Sequence, residues 1–225
     1  MKVLLTCEHA RNSFPPDMEN IFKGKQRLLQ SHRGWDEGAL EMARGLKRKL
    51  KAPLLEGSHS RLVIDLNRSI NHRKAFSEIT KRLPQETKDK IISTIHRPFR
   101  ENARVIVEKQ SQVLHLSIHS FVPILDGKKR NCEIGILYDP RRPLETNVAK
   151  QLKLSFQAND PNVIIKMNYP YRGTSDGHTT QLRRTFSPKK YLGIELEFNQ
   201  AWLKKLKNKN RVIEWIADSI QNSLL

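Results

Sequence analysis

The residues with the clearest capacity for chemistry lie just past short apolar runs. Glu8 and His9 follow Lys2 to Cys7, His119 follows Val113 to Ile118, and Glu197 closes Tyr191 to Phe198. Two strand-end histidines and a carboxylate form the ligand set of a catalytic zinc site, which leaves one position open for water. A further carboxylate beside that water serves as general base, and an arginine aimed at the scissile carbonyl stabilises the oxyanion. The stretch Ser60-Arg-Leu-Val-Ile-Asp-Leu-Asn-Arg68 adds donors: Arg61 opens its apolar run, and Asn67 and Arg68 end it. Such a set suits a carboxylate or a developing oxyanion. The plainer reading is an Arg/Asp pair that only ties a strand end to its neighbours.

Competing chemistries fare less well. A single histidine is more often structural than a ligand, and this applies to His9 and His119 taken separately. His32, His59, His72, His96, His115 and His178 gain no support from spacing, although His115 shares a strand face with Ser117 and His119. Cys7 lies two residues before His9, but cysteine catalysis needs a base and usually a helix N-terminus, so Cys7 reads as a small buried hydrophobe. Ser117 and Ser120 lack a Gly-x-Ser-x-Gly elbow, and the sequence has no His-Glu-x-x-His helix.

These residues can meet only if their strands lie side by side and run the same way. Strand patterns cover Lys2 to Cys7, Pro53 to Leu55, the apolar run after Arg61, Gln112 to Ile118, Glu133 to Tyr138, Val163 to Met167 and Tyr191 to Phe198. Helical spacing covers Asp36 to Leu50, with acids first and bases last as the helix dipole favours, then Pro143 to Gln157 and a closing helix from Ala201 to Leu224. A longer pattern from Gln85 to Gln110 must kink or split at Pro98. Asn71 to Arg82 reads as an exposed, charged connection. Strands alternating with helices predict an α/β layered fold, with a central mixed, mostly parallel sheet flanked by helices, in one domain over residues 1–225.

Composition narrows the function classes. The 225 residues carry a formal net charge of +18, spread over Arg44 to Lys51, Lys128 to Arg130, Arg183 to Lys190 and Lys204 to Arg211. Without a basic tail or an aromatic RNA-binding signature, a generally basic surface is favoured over a dedicated nucleic-acid site. No apolar run approaches the roughly 18 residues of a membrane span, and the apolar start is too short for a signal peptide. The two cysteines, Cys7 and Cys132, form no disulfide framework. A cytoplasmic, reducing setting is the expectation.

The motifs together resemble the N-formylglutamate amidohydrolase family. The matching pieces are Cys7-Glu-His-Ala10 with Pro15, Trp35-Asp-Glu-Gly-Ala39, Ser60 to Arg68 and Ser117-Ile-His-Ser-Phe121. Later come Asn168-Tyr-Pro-Tyr-Arg-Gly173 with Gly177, and Gly193-Ile-Glu-Leu-Glu197, in the family's order. The resemblance implies a zinc-carboxypeptidase-like fold and hydrolysis of an N-acyl amide on an amino acid. It makes His9 and His119 zinc ligands and Glu197 the general acid/base. Asp65-Leu-Asn-Arg68 is also similar to a segment of aspartoacylase-type relatives, in which Asn and Arg bind a substrate carboxylate; Asn67 and Arg68 match them, and Arg61 matches an upstream arginine that polarises the carbonyl.

Two departures bear on the site. Carboxypeptidase-type enzymes supply ligands as His-x-x-Glu, whereas His9 is followed by Ala10-Arg11-Asn12. The carboxylate ligand is therefore expected elsewhere, with Asp36 first and Glu8 second. Arg11 also stands where many members have a glycine, which bears on substrate preference. The leading expectation is a zinc-dependent amidohydrolase for an N-acyl acidic amino acid, N-formyl among the acyl groups: a small-molecule substrate bearing a carboxylate. The alternatives are a basic nucleic-acid-binding protein on a hydrolase-like fold, or a metallo-amidase for peptide or peptidoglycan fragments.

Overall fold

The computed structural model describes residues 1–222. In chain order, β1 (Lys2–Cys7) leads through the short helices α1 (Glu19–Phe22) and α2 (Gln26–Gln30) to α3 (Ala39–Leu50) and β2 (Leu54–Glu56). A long irregular stretch precedes α4 (Gln85–Ile91) and α5 (Arg97–Glu108), then β3 (Val113–Phe121) and a small hairpin, β4 (Ile124–Leu125) and β5 (Lys128–Lys129). The chain continues through β6 (Ile134–Leu137), α6 (Pro143–Asn159), β7 (Ile165–Met167), α7 (His178–Thr185), β8 (Tyr191–Asn199), α8 (Gln200–Lys205) and α9 (Lys209–Asn222).

Six strands form one sheet in the order β2-β1-β3-β8-β6-β7. The neighbours β2, β1, β3 and β8 are parallel, while β6 opposes β8 and carries β7 parallel to itself. The mixed, mostly parallel sheet flanked by helices is the expected architecture. Strands β3 and β8 are buried along their whole length, as a central strand covered on both faces must be.

Alternation along those strands sorts the side chains. Leu114, Leu116 and Ile118 of β3 and Leu192, Ile194, Leu196 and Phe198 of β8 enter the main core, together with Met42 and Leu46 of α3, Leu152 and Phe156 of α6, and Ile213, Ile216 and Ile220 of α9. Fully burying each such side chain contributes about 1.5–3 kcal/mol. The period of two sends His115, Ser117, His119, Glu195 and Glu197 to the opposite face. One face of the sheet is thus apolar, and the other carries the chemistry.

The stretch after Arg61 forms turns, not the expected strand. Ser60 Oγ accepts from Leu62 N at 3.1 Å, and Asp65 Oδ1 accepts from Asn67 N at 2.9 Å. These local bonds compete with any ladder and bend the chain at both ends of the apolar run. Leu62, Val63, Ile64 and Leu66 instead fill a second core with Met18, Phe22, Ile91 and Phe99.

Other boundaries differ for equally local reasons. The long helical pattern does not split at Pro98; a wider π turn over Ile92–His96 joins α4 to α5, and Pro98 sits in the first turn of α5, where its missing N–H costs little. The closing helix breaks into α8 and α9, restarted where Asn208 Oδ1 accepts from Arg211 N at 3.1 Å. The end of that expected helix, at Leu224, lies outside the described residues. The Asn71 to Arg82 connection buries Ala75 and Thr80 while leaving its cations in water.

Gly135 of β6 faces Glu197 across the antiparallel pair. A Cβ there would lie 1.9 Å from the Tyr169 carbonyl oxygen and 3.2 Å from Glu197 Cβ, so the glycine lets the Tyr169 loop lie flat on the sheet. Gly135→Ala should therefore cost about 1–3 kcal/mol, as overpacking does. Urea unfolding measures it, and an unchanged midpoint would contradict the close approach.

Candidate functional site

The parallel arrangement places the C-terminal ends of β1, β3 and β8 at one edge of the sheet, the edge where α/β proteins bind ligands. His9 follows β1, and His119 and Glu197 are register partners on β3 and β8. Asp36 comes from the turn before α3, where its backbone N–H donates to the His9 carbonyl at 3.0 Å. A sheet edge and a helix start are thereby stitched together.

Both histidines point the same nitrogen at the same oxygen. His9 Nδ1 lies 3.3 Å and His119 Nδ1 2.9 Å from Asp36 Oδ2, and the ring centroids are 5.0 Å apart. The far nitrogens are tied down. Asp65 can only accept, so His9 Nε2–H donates to Asp65 Oδ1 at 2.7 Å. Ser117 gives its hydroxyl to Glu8 Oε2 at 2.8 Å and thus accepts from His119 Nε2–H, also at 2.8 Å. Outer-shell acceptors of this kind orient metal-ligating histidines. Two nitrogens and one oxygen converging from buried side chains suit zinc. The donor set fits.

Electrostatics reinforce the arrangement. Burial disfavours charge on His119, but the Asp36 hydrogen bond and the Glu8 charge outweigh it and push the imidazole up to about 10. The two histidines in turn hold the Asp36 carboxyl below its ordinary value despite its burial. A cation is favoured wherever these three side chains meet.

The remaining candidates line the same cavity, whose volume is about 220 Å³. Arg61 Nη2 donates to Asp65 Oδ2 at 2.6 Å, and its Nη1 comes within 3.3 Å of His9 Nδ1 and 3.8 Å of Asp36 Oδ1. Asn67 Oδ1 accepts from His178 N at 2.7 Å, which leaves its Nδ2 3.4 Å from His119 Nε2. Arg68 donates to the Asp176 carbonyl, while its buried Nε has no partner among the described residues. Glu197 also lines the cavity, and among the described residues its buried Oε2 has no partner.

Glu8, the second choice for the carboxylate ligand, lies behind His119 and not beside His9. It accepts from Thr6 Oγ1 at 2.7 Å, Ser117 Oγ at 2.8 Å and His178 Nδ1 at 2.9 Å. Glu8, His115 and His178 also bring ligand atoms together. Glu8 is already satisfied, however, both His115 nitrogens are bonded to Thr6 and Tyr191, and none of the three lines the cavity. Sequence reasoning missed the service of Asp65 to His9 and of Ser117 to His119. The strand alternation of Ser117 with His119 was the available signal for one; nothing local pointed to the other.

A model of the N-formylglutamate amidohydrolase family matches residues 1–203. The chain belongs to this family. Among solved structures, a gene product of Agrobacterium tumefaciens is similar at 28% identity and a TM-score of 0.84, over 99% of this chain and 90% of that one. An N-formylglutamate amidohydrolase from Ralstonia eutropha JMP134 shares the fold at 12% identity and a TM-score of 0.70, covering 100% of this chain and 93% of its own. No curated protein sequence matches this chain. Among the described residues no helix is long and apolar enough to cross a membrane.

Within the site, the Glu197 carboxyl stands apart. Burial, with Asp36 and Glu195 nearby, raises it from the ordinary 4.5 to about 7, against the pull of His119 and His9. Its folded value lies above its unfolded one, so its charge opposes folding. That cost is absent below pH 4.5 and complete above about 7. In metal-free protein, Glu197→Gln should therefore add up to about 3 kcal/mol of stability at pH 8, because each tenfold change in proton affinity is worth ~1.4 kcal/mol. Thermal unfolding should show the gain shrinking toward nothing at pH 4.5; a gain independent of pH would argue against a strained carboxylate.

Proposed function

We propose that the protein is a zinc-dependent amidohydrolase that cleaves the N-acyl amide, N-formyl included, of an acidic amino acid or a related small amide. The observation that carries the reading is the convergence of His9 Nδ1 and His119 Nδ1 on one Asp36 oxygen, in the cavity where Glu197 keeps an unpartnered carboxylate oxygen. His9, Asp36 and His119 would hold the ion. Zinc there would supply Lewis acidity, lowering the pKa of water to about 7.

The chain's own side chains do the rest. Glu197, poised near neutrality, takes a proton from the attacking water at its free Oε2 and returns it to the departing amine. Arg61 lies beside the ligand cluster with one guanidinium nitrogen committed to Asp65 and the other facing His9 and Asp36. It stabilises the oxyanion as the carbonyl becomes tetrahedral. Asn67 and Arg68 hold the substrate carboxylate, and Arg68 brings charge and an uncommitted Nε to that contact. Asp65 serves twice, since it fixes the His9 ring and anchors Arg61.

Metal analysis should find about one zinc per chain, and His119→Ala should remove both the metal and the turnover of N-formylglutamate. Full activity in metal-free protein would overturn the mechanism. The arginines should separate kinetically: Arg61→Ala should lower kcat by about 10²–10³, as loss of an oxyanion donor does. Arg68→Ala should act chiefly on KM, having removed a contact made equally in ground and transition states. If both variants changed only KM, the role given to Arg61 would be wrong.

A further inference from the structure

The catalytic cavity does not end at Arg68. A second depression of about 430 Å³ adjoins it, and the two share His32, Arg61, Arg68 and Tyr171 as walls. Beyond them the outer depression is bounded by Arg73, Lys74 and Lys81, which come from the connection between Asn71 and Arg82. All three are exposed, and among the described residues none pairs with a carboxylate. The two acids in the walls are already engaged, Asp65 by His9 and Arg61, and Glu78 by Arg33. The groove is therefore strongly positive, with its free charge on one side and the catalytic cavity at its inner end.

The backbone under those cations is held in place. Ser77 Oγ donates to the Leu62 carbonyl at 2.6 Å, Thr80 Oγ1 donates to the Val63 carbonyl at 3.0 Å, and Asp65 N donates to the Ala75 carbonyl at 2.8 Å. The cationic segment is thus pinned to the same turns that carry Arg61, Asn67 and Arg68. Fixed charges lining a cleft raise the local concentration of an anionic ligand.

We propose that this groove is a subsite for the downstream carboxylates of an N-acylated acidic peptide whose first residue occupies the catalytic cavity. The assignment rests on the proposed function, in which Asn67 and Arg68 hold the first carboxylate. Arg68 belongs to both spaces, so the chain must leave the cavity on the side of the amine released by hydrolysis. Water adds its oxygen to the acyl carbon, the C–N bond breaks, and the peptide leaves with the proton on its new amine. A single-stranded nucleic acid fits less well, because such sites use aromatic platforms. Tyr171, the exposed aromatic here, is engaged by Arg130, which donates to its hydroxyl at 3.1 Å and stacks 5.0 Å from its ring centroid.

Isothermal titration of the full chain with tetraglutamate and with glutamate tests the proposal by binding alone, since glutamate has no amide and tetraglutamate lacks the N-terminal acyl group that the proposed reaction removes. At low salt tetraglutamate should bind at least about tenfold more tightly, and the advantage should shrink as salt is raised. Tetraglutamine should show no such advantage. The combined Arg73→Ala, Lys74→Ala and Lys81→Ala variant should bring tetraglutamate down to the affinity of glutamate. Single Gln replacements, each expected to weaken binding about two- to fivefold, keep the test available if the triple variant unfolds. Equal affinities for the two ligands, or an advantage untouched by these variants, would overturn the subsite. So would an oligothymidylate that binds more tightly than tetraglutamate and loses its binding in the same variants. Failure of the zinc mechanism would appear separately, as absent hydrolysis of N-formylglutamate.

Discussion

A buried carboxylate shared by two imidazoles governs the structure of this site. Asp36 is almost fully withdrawn from water, and so are His9 and His119. Burying three ionisable groups is costly unless each is paired. Here every ring nitrogen of the two histidines and the shared oxygen of Asp36 finds a partner, through Asp65, Ser117 and the Asp36 carboxylate itself. These partners leave one nitrogen of each imidazole and a carboxylate oxygen facing one another, and their lone pairs favour a cation there.

The polar layer behind the site extends this logic. Tyr191, His115, Thr6, Glu8, Ser117 and His119 form a hydrogen-bonded chain across three neighbouring strands. Burial, with the His178 and Arg183 charges nearby, pushes His115 down to about 3, so it sits neutral beside the Glu8 carboxylate. A satisfied network in a low-dielectric interior is rigid, because any rotation leaves a buried polar group unpaired. His119 therefore meets the cavity in one orientation. The loop from Ser60 to Arg68 acts in the same way from outside the sheet, since its side-chain-capped turns hold three candidate substrate contacts on one short segment.

Much of this was readable without coordinates. The short strands ending at Cys7 and Phe198, the helix ending at Leu50 and the alternation around His119 are local patterns, and they appear within a few residues of expectation. The run Leu62-Val63-Ile64 misled because apolar, β-branched residues look alike whether they form a strand or fill a core from turns. The deciding bonds from Ser60 and Asp65 are made by residues that also occur commonly at strand ends. The closing helix was over-extended because Asn208 can sit inside a helical pattern or restart one.

By itself, the sequence determined which chemistries were available: two strand-end histidines, a strand-end glutamate, an arginine pair with an asparagine, and the ordered motifs of one amidohydrolase family. Tertiary structure decided which of these residues face one another. Asp36 stands 27 residues from His9, and Asp65 stands 56. Only parallel pairing of β1, β3 and β8, with α3 and the Ser60 to Arg68 turns packed against their ends, brings them within hydrogen-bond range. Spacing along a chain constrains side chains only a few residues apart. Glu8 and Asp36 were therefore both open as the carboxylate ligand until the fold engaged Glu8 with Thr6, Ser117 and His178 behind His119 and left Asp36 at the cavity.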